Sequence, residues 1–340
     1  MTNDLKKHFP MIRERREVLS EIRRKEHLLE LFSQWTVEQQ EQFLDCCTGV
    51  KGIKLLYDSF FKEIFNPDTT PERLEKVLSL ILGFKVKILK VLPNDSARIA
   101  SESSLLIMDI VIELEDGSIA NVEAQKIGYA FPGQRSACYS ADLLLRQYKR
   151  IKGEKGKHFN YKDIKKVYTI VFLEKSSAQF HAFKRKQVYI HKSKQISDTG
   201  IQIDLLQEFV FIALDIYKMK LDNNGVTIEN ELEAWLTFLS VDEPEIIIKL
   251  ITDYPEFKAL YEEVYDRCLN MERMMGMFSK ELLELDKNTV QYMIDEMQDT
   301  IDTLKDSVEE KNNLLIEKES LLNEQKREIE ALKKALEGKL

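Results

Sequence analysis

Two carboxylates and an amide stand in a short segment, residues 109–125, in which apolar and polar side chains alternate. Asp109 begins the segment, Glu123 and Gln125 end it, and Gly117 lies between them. Alternation with a period of two is typical of β-strands, and the central glycine predicts a turn between two strands. Carboxylate and amide oxygens are ligands that a hard cation such as Mg²⁺ prefers. The segment therefore predicts a β-hairpin whose polar face binds a metal ion.

The length of the turn decides whether the two carboxylates meet. A two-residue loop at Asp116-Gly117 would place Asp109 opposite Ala124 and separate it from Glu123. A three-residue loop, either 115–117 or 116–118, would place both carboxylates on one face. We therefore expect an odd-length loop with Gly117 at a positive φ angle. The alternative is a surface ribbon with a solvated polar face, because antiparallel sheets often have one face in water.

The elements that must position this hairpin follow a defined order. Residues 58–65 predict a helix that carries Lys62, and residues 134–139 open another helix with Arg135 and Tyr139. Residues 166–173 then read as an apolar strand. Helix, two strands, helix and strand is the order of the PD-(D/E)XK nuclease core. The chain resembles the PD-(D/E)XK nuclease-like transposases, the recombination-promoting nuclease group of bacteria.

The resemblance implies roles for the residues of the hairpin. Asp109, Glu123 and the main-chain carbonyl of Ala124 would hold Mg²⁺, or Mn²⁺ in its place. The metal would activate a water and stabilise negative charge on the scissile phosphate. Two positions depart from the general motif: Met108 stands in place of Pro, and Gln125 in place of Lys. Gln125 would orient a water without adding positive charge.

Because Gln125 replaces the motif's lysine, another residue would have to supply the positive charge of that lysine. Lys62, on the first helix, is a candidate, although a solvated helix lysine is an equally good interpretation. Lys126 follows Gln125 directly but should point to the other face of its strand. The predicted catalytic residues are therefore Asp109, Glu123, Gln125 and Lys62.

Charge along the chain indicates where a phosphate backbone would lie. The net charge is −8, yet residues 141–195 contain 15 Lys and Arg against four Asp and Glu. This basic stretch follows the predicted core directly, so we expect Arg146, Lys149 and Arg150, together with Arg135, to contact DNA. The alternative is a lysine-rich surface that is only solvated.

Composition limits the cellular setting. The four cysteines show neither C-x-x-C spacing nor histidine partners at the distance of a zinc site. The charged N-terminal residues lack the apolar region of a signal peptide, and no apolar run approaches the length of a membrane span. These features predict a reduced, cytoplasmic protein with no membrane partner.

The C-terminal residues show a seven-residue repeat. Six apolar side chains fall on it in succession, at Ile301, Val308, Leu315, Leu322, Ile329 and Leu336. Such a repeat predicts a left-handed coiled coil, and hence a homodimer. Lys311, Lys318 and Gln325 interrupt the second seam position, which indicates modest stability. A single solvated amphipathic helix is the alternative.

The sequence thus predicts an α/β chain with a PD-(D/E)XK restriction-endonuclease-like core, helical flanks and a C-terminal coiled coil. The predicted domains are a helical lead-in at 1–45, a nuclease-like domain with an α/β extension at 46–285, and the coiled coil at 286–340. The predicted function is Mg²⁺-dependent DNA endonuclease activity in recombination or transposition. Two alternatives are a degenerate core that binds nucleic acid without cutting it, and a coiled-coil interaction protein.

Overall fold

The chain is a mixed α/β protein, and a computed structural model describes residues 4–93, 109–126, 132–183 and 187–337. Helices in these ranges are α1 Asp4–His8, α2 Arg15–Arg24, α3 Glu26–Gln34, α4 Val37–Cys47, α5 Asp58–Ile64, α6 Pro71–Leu82, α7 Pro132–Lys155, α8 Ala178–His181, α9 Leu214–Asn223, α10 Glu231–Ser240, α11 Pro244–Asp253, α12 Glu256–Cys268 and α13 Met271–Glu337. Strands are β1 Ile88–Val91, β2 Ile110–Leu114, β3 Ile119–Gln125, β4 Val167–Leu173, β5 Ile190–Lys194 and β6 Gln207–Ala213. This composition fits a PD-(D/E)XK-like core.

The strands form one six-stranded mixed sheet in the order β1-β2-β3-β4-β6-β5. Strands β3, β4 and β6 run parallel, whereas β1, β2 and β5 pair antiparallel to their neighbours. The carboxyl ends of the three parallel strands therefore meet at one edge of the sheet, where Gln125, Leu173 and Ala213 lie. Side chains near these strand ends share this edge.

The two faces of the sheet are covered unequally. One face, which includes Ile112, Ile170 and Ile212, belongs to the large apolar core that the N-terminal and C-terminal helices build. The opposite face has a smaller cluster in which Tyr139 and Leu143 of α7 pack on the sheet. The predicted lead-in contributes side chains such as Phe9 to the large core. The ring centres of Phe9 and Tyr265 lie 5.0 Å apart.

The β2–β3 hairpin has the odd loop that the sequence predicts. Ile110 pairs with Val122, and Glu113 with Ile119, so the loop consists of residues 115–117. Gly117 has a φ angle of 85°, which L-residues with a side chain rarely adopt. Extending the register by one residue places Asp109 opposite Glu123, and the predicted parity is confirmed.

Other strands agree with the sequence in part. The apolar strand predicted at 166–173 is confirmed as β4. Strand β5 was not predicted, because its sequence, Ile-His-Lys-Ser-Lys, is mostly polar. An edge strand has one neighbour and often carries lysines, so it lacks the apolar alternation of an inner strand.

The chain divides into two compact units, Met1–Lys287 and Asn288–Leu340. In the second unit the described residues are helical up to Glu337, as part of α13. Among the described helices, none combines the length and the apolar character needed to cross a lipid bilayer. A second chain paired with α13 stays a prediction.

Candidate metal centre

Asp109 and Glu123 meet at the open end of the hairpin, where main-chain groups hold both carboxylates. The Asp109 N–H donates to Glu123 Oε1 at 3.3 Å, and the Ala124 N–H donates to Asp109 Oδ2 at 2.8 Å. The main-chain N–H groups of Asp109 and Ala124 thus each bind a carboxylate from the opposite side of the hairpin. This reciprocal pair fixes two acidic groups side by side at the edge where the parallel strands end.

The Glu123 carboxyl is costly to ionise in this position. It is 4% exposed, and burial, followed by the negative charge of Asp109, raises the pKa of Glu123 to about 8. The Asn121 amide and the Arg135 charge lower this pKa without restoring its ordinary value. Asn121 lies two residues before Glu123 on the same face; the alternation pointed to it, but the sequence suggested no role for it.

Two more oxygen donors flank the carboxylates. The Gln125 amide is buried, and neither of its polar atoms has a hydrogen-bond partner among the described residues. Main-chain groups of alternate residues in a strand point to alternate neighbours. Since Ser118 O and Ala124 N both bond toward β2, the Ala124 carbonyl faces the same side as Asp109.

Positive charge reaches this centre from two helices. Lys62 Nζ of α5 lies 3.3 Å from Asp109 Oδ1, so the candidate that the sequence suggested is brought to the carboxylates. Arg135, in the first turns of α7, is close enough to Glu123 for its charge to lower the pKa of that carboxyl. Its guanidinium also lies 5.1 Å from the centre of the Tyr139 ring.

Lys126 is engaged away from the centre. Its ammonium group forms an ion pair with Glu281 and lies 4.9 Å from the centre of the Tyr57 ring. This placement agrees with the prediction that Lys126 points away from the Gln125 side of the strand. Met108, which stands in place of the motif's proline, lies outside the described residues.

The structure does not bring the other predicted DNA contacts to the carboxylates. Arg146 and Arg150 lie 11 and 15 residues beyond Arg135 on α7, roughly 17 and 22 Å along the helix axis. Arg146 Nε donates to Asp142 Oδ2 at 2.7 Å, and Arg150 forms an ion pair with Glu113 on β2. Lys149 is exposed. Of these three residues, Lys149 thus has the side chain that is best placed to meet a ligand.

A serine, a histidine and an aspartate also meet just beyond the carboxyl ends of β4 and β6. His181 Nε2 lies 3.2 Å from Ser176 Oγ and 3.0 Å from Asp215 Oδ2. In a catalytic triad the two ring nitrogens separate the nucleophile from the acid. Here both partners share Nε2, and Asp215 also accepts from the Ser176 N–H at 2.9 Å. The arrangement ties the segment after β4 to α9 and is not a nucleophile relay.

The donors at the hairpin fit a hard divalent cation. Two carboxylates, a main-chain carbonyl and an amide offer oxygen ligands alone, which suit Mg²⁺ and Mn²⁺ better than Zn²⁺. A cation would also relieve the electrostatic cost of the ionised Glu123. Among the described residues, no group of three or more His, Cys, Asp or Glu side chains is arranged to hold a metal. A metal here would rely on the two carboxylates and the main-chain carbonyl of Ala124.

Comparison with known proteins places the chain in a family. A family model described as PD-(D/E)XK nuclease family transposase matches residues 55–303, which include the hairpin, α5 and α7. No curated protein and no solved structure matches the chain. The family match covers most of the sequence and confirms the resemblance that the order of elements indicated. The chain belongs to the PD-(D/E)XK nuclease family transposases.

Proposed function

We propose that the chain is a Mg²⁺-dependent DNA endonuclease that hydrolyses phosphodiester bonds during recombination or transposition. The observation that supports this proposal most directly is that the Asp109 and Glu123 carboxylates lie side by side, where the Ala124 N–H holds the first and the Asp109 N–H holds the second. Two adjacent carboxylates repel each other when both are ionised, and a bound cation would offset that repulsion. Membership of a nuclease family supports the phosphodiester backbone of DNA as the substrate class.

Each residue of the centre has a part in the proposed reaction. Asp109, Glu123 and the Ala124 carbonyl would hold Mg²⁺, which supplies Lewis-acid activation of water and neutralises charge on the phosphate. The Gln125 amide orients the attacking water, since it is buried beside the carboxylates and has no other partner among the described residues. Lys62 brings the positive charge that the motif's lysine would otherwise supply.

The proposed DNA path starts at Arg135 and follows α7. Arg135 lies beside the centre, and the exposed Lys149 carries positive charge further along the helix. Phosphate contacts of this kind provide affinity that does not depend on base sequence. Arg146 and Arg150 contribute to the local positive charge while their carboxylate partners hold them in place.

A homodimer formed through α13 is the proposed assembly. In the second unit, Val308, Leu315 and Leu322 lie on the seven-residue repeat and are between 51% and 57% exposed in the single chain. A second copy would bury this row as the seam of a coiled coil. Two nuclease centres on one assembly would then act at high effective concentration on both DNA strands.

The decisive experiment is nicking of supercoiled plasmid in Mg²⁺, in Mn²⁺ and in EDTA. The wild-type chain should convert supercoiled to open-circular DNA with either metal and not in EDTA. Asp109→Ala and Glu123→Ala should each abolish this conversion with the circular dichroism spectrum retained. Glu115→Ala, in the loop of the same hairpin, is the matched control and should cut like the wild type. Cleavage at the wild-type rate in Asp109→Ala would refute the assignment.

The degenerate-core alternative rests on Gln125 in place of lysine. A chain that binds DNA tightly and with salt sensitivity, yet never nicks it in either metal, would support that alternative. A chain that neither nicks nor binds DNA would favour the coiled-coil interaction protein. Salt-dependent binding in EDTA therefore separates the two alternatives when cleavage is absent.

A further inference from the structure

A small aromatic cavity lies on the same face of the sheet as the carboxylates. It has a volume of about 290 Å³ and opens beside the first turn of α7 and the short helix α8. The residues that line it come from four separate parts of the chain: Gly133, Gln179, Phe180, Phe183, His191 and Phe211. The proposed endonuclease function leaves this cavity without a role.

The strand register places the cavity at a defined distance from the metal centre. Glu123 pairs with Val171, Val171 with Phe211, and Phe211 with His191 across four neighbouring strands. Residues that are paired in this way point to the same face, and strands lie about 4.8 Å apart. Phe211 and His191 thus stand roughly 10 and 14 Å from Glu123 in one row.

The rings in the cavity are arranged as walls. The ring centres of Phe180 and His191 lie 5.1 Å apart at 68°, and those of Phe183 and His191 lie 5.7 Å apart at 84°. Phe180 and Phe211 are tilted at 56°. No pair among these contacts stacks face to face, and the large apolar side chain of Phe183 is 48% exposed. Ring surface is therefore available to a flat ligand.

Two of the residues that line the cavity, Gln179 and His191, carry polar groups. His191 Nε2 lies 3.1 Å from the Val188 carbonyl, which can only accept, so this nitrogen carries the proton. In the neutral ring Nδ1 is then an acceptor. The exposed amide of Gln179 offers both a donor and an acceptor. A purely apolar ligand would use neither residue.

We propose that this cavity is a subsite for one unstacked nucleobase of the DNA strand that enters the metal centre. This inference rests on the proposed function and extends it to the substrate class: single-stranded DNA, or duplex DNA with an unpaired nucleotide near the cut. Bases in a paired duplex are stacked inside the helix and cannot reach the aromatic walls, whereas an unpaired base can stack on them.

The spacing agrees with the length of a few nucleotides. Roughly 10 Å corresponds to about three rises of a stacked strand at 3.4 Å each, and to fewer steps of an extended strand. A base in the cavity would therefore lie within a few nucleotides of a phosphate at the centre. Since every base has an aromatic face, the subsite selects unpaired structure and not sequence.

Two substitutions test the subsite by opposite routes. Phe183→Ala removes an exposed wall of the cavity, and Gly133→Leu adds a bulky side chain at a residue that lines it, where a Cβ meets no atom within 4 Å. Each variant has a matched control elsewhere in the chain. Phe84→Ala removes an exposed ring that contacts Tyr168, and Gly276→Leu adds a side chain at an exposed position of α13, a helix outside the proposed DNA path.

The measurement is fluorescence anisotropy of a short, labelled single-stranded DNA, with the full chain in EDTA so that nothing is cleaved. Phe183→Ala and Gly133→Leu should bind at least about fivefold more weakly than the wild type, the scale of one lost base–aromatic stack. Both controls should bind like the wild type, and all five proteins should bind a fully paired duplex alike. An oligonucleotide with abasic positions should remove the difference between the wild type and Phe183→Ala.

The outcomes separate this inference from the proposed function. Plasmid nicking with unchanged single-strand affinity in both variants would overturn the subsite while the nuclease stands. Absence of nicking together with Phe183-dependent binding would overturn the nuclease while the subsite stands. A wild-type chain that binds no single-stranded DNA would also overturn the subsite.

Discussion

Glu123 is a carboxyl group that its surroundings hold in the protonated form near neutral pH. Between its ordinary pKa of 4.5 and the folded value of about 8, the unfolded chain loses a proton that the folded chain retains. Folding must then take up that proton, so stability falls as pH rises through this window. With metal bound, stability should instead rise with pH, because the metal binds the ionised form of Glu123.

Glu123→Gln should therefore stabilise the metal-free protein at pH 8 and have little effect at pH 4.5. The gain should grow by up to about 1.4 kcal/mol per pH unit across the window, since one proton is linked to folding. Chemical unfolding in EDTA, followed by fluorescence of Trp35 and Trp235, measures it. Glu310→Gln, on the exposed tail, is the control. A variant with the same pH profile as the wild type would contradict the raised pKa.

Lys62 should supply the positive charge that is missing at position 125, where the motif usually has lysine and this chain has glutamine. Lys62→Met should slow plasmid nicking by about 10²-fold, the scale of losing one positioned charge or donor. Adding Gln125→Lys should restore much of that rate, because lysine is the usual residue at this position of the motif. Single-turnover nicking of the two single variants and the double variant measures the coupling. Independent, additive losses would show that Lys62 is only a neighbour of Asp109.

At the scale of elements, the loop of the hairpin sets the register of the site. Gly117 has a positive φ angle, and a Cβ there would lie 3.2 Å from the Lys165 side chain. Gly117→Ala should lower the free energy of unfolding by about 1 kcal/mol, the cost of a left-handed conformation. Gly153→Ala, in α7 with open space around it, should instead raise it by about 0.5–1 kcal/mol. Denaturant titration of both variants checks the opposite signs.

The basic residues of α7 should differ in their effect on DNA binding. Lys149→Ala should reduce the slope of log affinity against log salt by about 0.9, as expected for one lost phosphate contact. Arg146→Ala and Arg150→Ala should change the slope less and lower stability instead, because their guanidinium groups hold Asp142 and Glu113. Anisotropy titrations over a range of salt decide this. Equal slope changes for all three would mean that the ion pairs open on DNA.

Local pattern predicted the hairpin because parity, turn length and Gly117 are all encoded within 17 residues. The pairing of Arg146 was also within reach, since Asp142 lies four residues earlier on the same helical face. The aromatic cavity could not be predicted, because its residues come from four segments, on α7, α8 and the residues after it, β5 and β6, that only the tertiary fold brings together. Strand β5 has a polar sequence that resembles a loop, and so its place at the sheet edge depends on tertiary pairing.

At the scale of the whole molecule, the seam of the C-terminal helix should control assembly. Replacing Val308, Leu315 and Leu322 with Asp would bury three charges in a coiled coil and should give monomers. Those monomers should still nick one strand but lose concerted double-strand cutting. Light scattering at micromolar concentration measures the mass, and linear plasmid product measures the cutting.

The control adds the same charge outside the seam. Asn313→Asp, Ser320→Asp and Asn323→Asp fall on outer positions of the repeat and should leave the mass and the linear product unchanged. A wild-type chain that is monomeric at micromolar concentration would remove the basis for this assembly. Monomeric seam variants that still linearise plasmid would show that one centre cuts both strands in turn.

The main-chain N–H of Ala124 has a consequence for how mutational data on this family would read. It binds the Asp109 carboxylate, and its carbonyl faces the same side, so position 124 contributes through atoms that nearly every amino acid shares. Substitutions of the side chain leave those atoms in place, and proline alone removes the N–H. Because the Ala124 side chain packs against the large core, only small replacements would be tolerated, and a scan limited to them would miss the proposed role of the main chain. Main-chain groups of this kind are present with almost any side chain, so the amino-acid sequence gives little indication of their role.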